Sequence, residues 1–239
     1  MSLLLENVTK RFGDFTAVDD LTLSVSKGTM YGFLGANGAG KTTTFRMILG
    51  LLNANEGRIT WNGKSISYAT SPEIGYLPEE RGLYPKMKVE EQLIFLAQLR
   101  GMKKLDAKVA MNKWLERMEI PHYANKKVEE LSKGNQQKIQ VVASLMHNPQ
   151  LLILDEPFSG LDPIVRESLI KGLIRYTNME EQSIILSTHE LHEVEPILDQ
   201  LIVLKQGKVI AQDDLETIRF ETNQDAVSWM KYVTKEKVN

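Results

Sequence analysis

The chain has 239 residues, of which 42% are hydrophobic and 25% charged, with a formal net charge of -2 and no cysteine. That length buries a full core as one domain or two subdomains; the charge balance leaves no electrostatic footprint for nucleic acid, and the missing thiols exclude disulfides and thiolate metal sites. No apolar run reaches the roughly 18 to 20 residues that cross a bilayer, and the N-terminus meets Glu6 too early for a signal peptide, so a cytoplasmic protein is expected, with any membrane part supplied by a partner.

Leu3–Phe12 reads as a first strand, Gly13-Asp14 as a turn and Thr16–Val25 as a second strand. Phe12 is either a half-buried strand residue or an aromatic platform for a nucleobase. Ser26-Lys27-Gly28 turns the chain into Met30–Leu34, a short apolar run of strand length. Directly after it, Gly35, Gly40, Lys41 and Thr42 fill the pattern G-x-x-x-x-G-K-[ST], with Asn37, Gly38 and Thr43 in the same stretch. Glycines let the backbone turn sharply and bring its N–H groups against phosphate. Lys41 places a charge on the β- and γ-phosphates, and the Thr42 hydroxyl can ligate Mg2+. A helix over roughly residues 41 to 52 aims the positive end of its dipole at the same anion. The stretch therefore predicts nucleoside triphosphate binding.

Arg58–Trp61 reads as a short strand between Glu56-Gly57 and Asn62-Gly63. Ile74–Leu77 is a further strand, stopped by Pro78, and Glu79–Pro85 is a loop. Helical patterns follow over Val89–Arg100 and Leu105–Met118, and Pro121 breaks the run. No strand signal occurs from about residue 86 to 147, which predicts a helical subdomain inserted in an α/β core. Leu131-Ser132-Lys133-Gly134-Asn135 precedes a helix from about Gln136 to Met146, with Ser132 placed to cap it.

Leu151–Leu154 is a fully apolar strand with Asp155 and Glu156 at its carboxyl end, where ligands bind in open α/β sheets. Asp155 can hold Mg2+, and Glu156 can orient and deprotonate a water. The alternative is that both acids cap the next helix. Ser183–Ser187 is another buried strand, and its end carries His189. This side chain is either a structural or solvated histidine or a sensor of a γ-phosphate. Asp199–Lys205 and Lys208–Gln212 form a hairpin over Gln206-Gly207, and from Asp213 the pattern is helical. Val227, Met230 and Val233 make a short apolar face near Trp229, for docking on the body or on a partner.

Together these motifs resemble the nucleotide-binding subunit of ATP-binding-cassette (ABC) transporters, from about residue 3 to about residue 212. Gly35–Thr43 matches that family's Walker A loop and Leu151–Glu156 its Walker B strand. Ser159-Gly160-Leu161-Asp162 matches its D-loop, His189 its switch histidine, and Leu131–Asn135 its signature loop. The resemblance also assigns Phe12 to adenine stacking. It implies a P-loop NTPase (RecA-like) α/β core with an N-terminal antiparallel β subdomain and an inserted α-helical subdomain. Residues 1–215 would form the ATP-binding domain, with the helical part at about 86–147, and residues 216–239 a C-terminal helical tail.

The sequence departs from the family at Lys133 and Asn135, where Gly and Gln are common, while Ser132 and Gly134 are kept. Lys133 either adds positive charge near the nucleotide or points to solvent. Glu79 stands where the family usually has Gln; a carboxylate there accepts but does not donate, and can contact Mg2+. Leu77–Pro85 resembles bacterial sodium-extrusion and drug-resistance exporters.

The resemblance implies ATP and Mg2+ as ligands. It implies a second cassette as partner, in a homodimer or heterodimer, and an integral membrane permease subunit, with this chain peripheral at the cytoplasmic face of the cell membrane. In the family, each ATP lies between the Walker A loop of one cassette and Ser132 and Gly134 of the other, and Asp162 communicates across the dimer. A non-transport ABC ATPase acting on ribosomes or DNA is the alternative. A GTPase would need N-K-x-D, which Asn125-Lys126-Lys127-Val128 fails at its last position.

Overall fold

Strand alternation and glycine placement build the fold. A computed structural model describes residues 2–67, 73–80, 82–222 and 225–236. The chain forms two compact units, one from Met1–Ser71 with Met179–Asn239, the other from Pro72–Asn178.

The first unit opens with β1 (Ser2–Phe12) and β2 (Phe15–Ser26), paired antiparallel as the alternation predicts. Leu21, Leu23 and Val25 point inward from β2 while the residues between them stay exposed. The five residues of β3 (Met30–Leu34) are all buried, and this strand feeds the glycine-rich loop. Helix α1 spans Lys41–Ile48, shorter than the expected run to Leu52. Gly50 adopts φ 67°, its N–H donates to Met47 O at 3.0 Å, and Leu51 N–H donates to Arg46 O at 2.9 Å. This is a Schellman ending, which glycine accommodates without strain. β4 (Glu56–Trp61) pairs with the other edge of β1, and β5 (Lys64–Ser65) extends the sheet.

The second unit begins with β6 (Ile74–Leu77), parallel to β7 (Leu151–Leu154). Between them lie α2 (Val89–Leu99), α3 (Lys104–Arg117) and α4 (Lys133–Leu145). Among the described residues of this stretch, extended pairing is limited to one isolated bridge, Lys88 with Lys127. Arg81, part of the expected loop after β6, lies outside the described residues. Helix α4 starts at Lys133, ahead of the expected Gln136, because Ser132 is its N-cap and its Oγ accepts from Asn135 N–H at 3.4 Å. The start of α5 (Pro163–Tyr176) is capped by Asp162, whose Oδ1 accepts from Ile164 N–H at 2.9 Å, with Pro163 in the first turn.

The chain then returns to the first unit. β8 (Ser183–Thr188) and β9 (Gln200–Lys205) flank β3 in parallel, with the short helix α6 (Leu191–Val194) between them in sequence. β10 (Lys208–Asp214) pairs antiparallel with β9. Its ladder continues through Asp213 and Asp214, opposite Leu201 and Gln200, so the helix expected from Asp213 begins later, as α7 (Leu215–Thr222). In α8 (Ala226–Glu236), Ala226 and Trp229 are the buried positions while Val227, Met230 and Val233 are half-buried. The docking face therefore centres on Trp229 rather than beside it, and α8 packs against α6, α7 and β10 of its own unit.

Candidate active site

In the first unit the loop between β3 and α1 bends at Gly40, the N-cap of α1, with φ 104°. A Cβ at Gly40 would stand 2.6 Å from Ala17 O, and one at Gly35 would stand 2.7 Å from Leu204 O. Glycine is thus required at Gly40 for conformation and clearance, and at Gly35 for clearance. Ala39 N–H donates to Ala36 O at 3.0 Å, while Ala36, Asn37 and Gly38 are exposed. Lys41 is buried at the start of α1, and its Nζ donates to Gly35 O at 2.6 Å. The ammonium therefore sits inside the curl of the loop. Thr42 and Thr43 are half-buried in the first turn of α1, and the Thr44 hydroxyl donates back to Gly40 O at 2.9 Å.

Gly35–Ala39 share a cavity of about 500 Å3 with Thr188 and His189, which follow β8, and with Met230 and Thr234 of α8. The topology thus brings His189 to the phosphate loop from residues far along the chain. Its imidazole is about half exposed at 48%, with Nε2 3.9 Å from Glu190 Oε1. Phe12 is also half exposed at 50%, so it is an accessible aromatic rather than a core residue. It pairs across the turn with Phe15, equally open, and Lys10 Nζ lies 5.2 Å from its ring centroid. Phe15 escaped notice in the sequence, although its place directly after Gly13-Asp14 was the available signal.

In the second unit, Leu77 of β6 pairs with Leu154 of β7. Glu79 and the pair Asp155 and Glu156 thus leave the carboxyl ends of neighbouring parallel strands. Asp155 is fully buried, and its N–H donates to Leu77 O at 2.9 Å. Glu156 is also buried and has φ 48°, a left-handed conformation uncommon for a residue with a Cβ and shared by Glu119 and Gln206. Neither acid caps α5; Asp162 does. Glu79 is exposed.

Ser132 and Lys133 are exposed at the N-terminus of α4, and Lys133 has not been drawn into the core. Gly134 lies against α5, where a Cβ would stand 2.7 Å from a methyl of Val165. Asn135 Nδ2 donates to Tyr123 Oη at 3.0 Å, and Gln137 Nε2 donates to Pro157 O at 2.7 Å. The second bond ties α4 to the segment that carries Glu156. Asp162 is exposed at the start of α5.

A model of the ABC transporter family matches residues 18–159. The chain belongs to that family. It is 55% identical over 217 residues to the ABC transporter ATP-binding protein YhaQ of Bacillus subtilis (strain 168), covering 91% of this chain and 72% of the relative. The bacitracin transport ATP-binding protein BcrA of Bacillus licheniformis is 37% identical over 213 residues, or 86% of this chain and 67% of that protein. A solved ATP-binding subunit of an ABC transporter superposes with a TM-score of 0.87 at 28% identity, covering 98% of this chain and all of the other. An ATP-binding cassette in its ADP conformation gives 0.82 at 26% identity, covering 97% of this chain and 99% of that one.

The chain is accordingly an ABC transporter ATP-binding subunit with the P-loop NTPase fold, and its class of domain is an ATPase that drives transport. Among the described residues, no helix is long and apolar enough to cross a membrane.

Proposed function

We propose that this chain powers an ABC exporter by ATP-dependent, head-to-tail pairing with a second, identical or different, cassette. The observation that carries the reading is the joint placement of the phosphate loop and His189 around one cavity of the first unit. Export is supported by the relatives, which include a bacitracin transport protein, a linearmycin resistance protein and Nod factor export proteins. A separate integral membrane permease carries the substrate, and this subunit works peripherally at the cytoplasmic face of the cell membrane. Residues 1–215 act as the ATP-binding domain, with about 86–147 as its helical part, and residues 216–239 as a tail. Residues 223–224 and 237–239 of that tail lie outside the described residues.

Within the site, Gly35, Asn37, Gly38, Gly40, Thr42 and Thr43 cradle the phosphates with Lys41, and Phe12 stacks on adenine. Glu156 orients the attacking water, His189 contacts the γ-phosphate, and Lys41 offsets developing charge. Ser132 and Gly134 reach the ATP of the partner cassette from the N-terminus of α4, where backbone N–H groups favour an anion. Asp162 carries the state of one site to the other.

The donor chemistry of Thr42, Asp155 and Glu79 is hydroxyl and carboxylate oxygen, which suits Mg2+. Among the described residues no cluster of three or more His, Cys, Asp or Glu could hold a metal ion. Mg2+ is commonly held by one or two protein oxygens together with phosphate and water. When bound, Mg2+ neutralises phosphate charge.

Glu156→Gln tests the reading. It keeps ATP binding and lowers turnover by about a hundredfold or more; undiminished turnover removes Glu156 from the role. The same variant locked with ATP in its native cell should co-purify a polytopic membrane protein. Ribosomal or DNA-repair proteins in its place would overturn the transport reading.

A further inference from the structure

The C-terminal helix is joined to the phosphate loop through the turn between β9 and β10. Met230 and Thr234 of α8 line the same cavity as Gly35–Ala39. Leu204, at the end of β9, puts its carbonyl against Gly35, where a Cβ would stand 2.7 Å away. Gly207, at the far side of the turn, donates its N–H to Ala39 O at 3.0 Å and accepts from Asp19 N–H at 3.0 Å. Both ends of the turn therefore touch the loop. Between them, Lys205 Nζ donates to Thr234 O at 2.7 Å.

Thr234 lies in the last turn of α8, where carbonyls lack an intrahelical donor. The negative end of the helix dipole is also there, so an ammonium is favoured twice, as donor and as charge. The helix itself is firmly seated. Trp229 is only 6% exposed, and Asp225 Oδ1 accepts from Ser228 N–H at 2.7 Å at the other end. A fixed helix, a charged link and a turn that underlies the loop make one continuous mechanical path.

We propose that Lys205 is a positioning residue for ATP binding, fastening the Leu204–Gly207 turn to α8 so that the turn holds the phosphate loop in shape. The proposal rests on the loop's role as the ATP site. Lys205 also lines that cavity, but its ammonium is held on the Thr234 carbonyl, so it acts through the backbone of Gly35 and Ala39. Without its ammonium, the turn gains freedom and the loop's N–H groups lose their common aim. Ground state and transition state are then weakened together, so affinity falls while turnover at saturation is spared. Linkage requires the converse, that nucleotide in the loop steadies α8.

The test combines hydrogen exchange of α8 in the unmodified chain, with and without ATP and Mg2+, and titration of a fluorescent ATP analogue into Lys205→Met and Lys205→Arg. ATP should slow exchange across α8 in the unmodified chain. Lys205→Met should lose that protection and bind the analogue about fivefold more weakly, with saturated turnover within about twofold. Lys205→Arg, which keeps the cation, should restore both. Analogue binding by the unmodified chain with α8 exchange unchanged by ATP overturns the link, even if Lys205→Met cannot be prepared folded. Equal affinities for Lys205→Met and the unmodified chain overturn it as well. Failure of the unmodified chain to bind the analogue removes the ATP site and the proposal with it.

Discussion

His147 lies between α4 and β7 with both ring nitrogens shut off from water and no partner of normal hydrogen-bond geometry. Burial pushes its pKa down from 6.5 to about 4; the Arg100 guanidinium adds to the drop, and the backbone of Ile74 opposes it in part. A base whose folded pKa is depressed stabilises the fold fully above its unfolded pKa, and that stability is lost as pH falls. Here the window runs from 6.5 down to about 4. The whole shift corresponds to about 3 kcal/mol, of which about 2 kcal/mol is gone near pH 5. His147→Leu keeps the bulk and removes the proton site. Urea unfolding of both chains near pH 7.5 and near pH 5 should show the variant losing about 2 kcal/mol less on acidification. The shared carboxylates titrate in both chains and cancel in the comparison. An equal loss in the two chains refutes the reasoning, because the imidazole would then titrate alike folded and unfolded.

Three other substitutions probe the site and its supports. Gly40→Ala forces a Cβ into φ 104° and to 2.6 Å from Ala17 O, so it should cost at least about 1 to 3 kcal/mol in chemical denaturation and abolish binding of an ATP analogue. Ser132→Ala removes the cap of α4 for about 1 kcal/mol of stability, while the Glu156→Gln dimer measured by light scattering with ATP should weaken more than that cost explains. Trp229→Ala empties the seat of α8 at a cost of about 3 to 5 kcal/mol, and hydrogen exchange should show the loss first in residues 226–236.

The sheet strands were legible because alternation and short apolar runs act locally: β1, β2, β3 and β7 begin and end close to where the residues place them. Helix ends were less so. The end of α1 depends on one glycine taking positive φ, and the start of α4 depends on Ser132 acting as cap, so that Lys133, Gly134 and Asn135 already belong to the helix. The phosphate loop and the acids after β7 announce themselves by spacing. His189 does not; the parallel pairing of β3 with β8 is what brings it to the cavity of the phosphate loop. Lys205 had no signal at all in the sequence, since its partner is a backbone carbonyl whose position depends on how α8 docks. Trp229 takes a buried position of α8 rather than a place beside the apolar face, because packing fixes the phase of the helix and favours burial of the large ring.

The pairing of β3 with β8 and β9 also sets a timetable for synthesis. The stretch from Gly35 to Lys41 leaves the ribosome early, yet it rests on the Leu204 carbonyl and the Gly207 amide. At roughly 5 to 20 residues per second, those supports arrive on the order of ten seconds later or more. Over that interval residues 72–178, which form a unit of their own, can fold while the nascent loop still lacks its floor. The loop therefore gains its full support only once translation has passed Gly207.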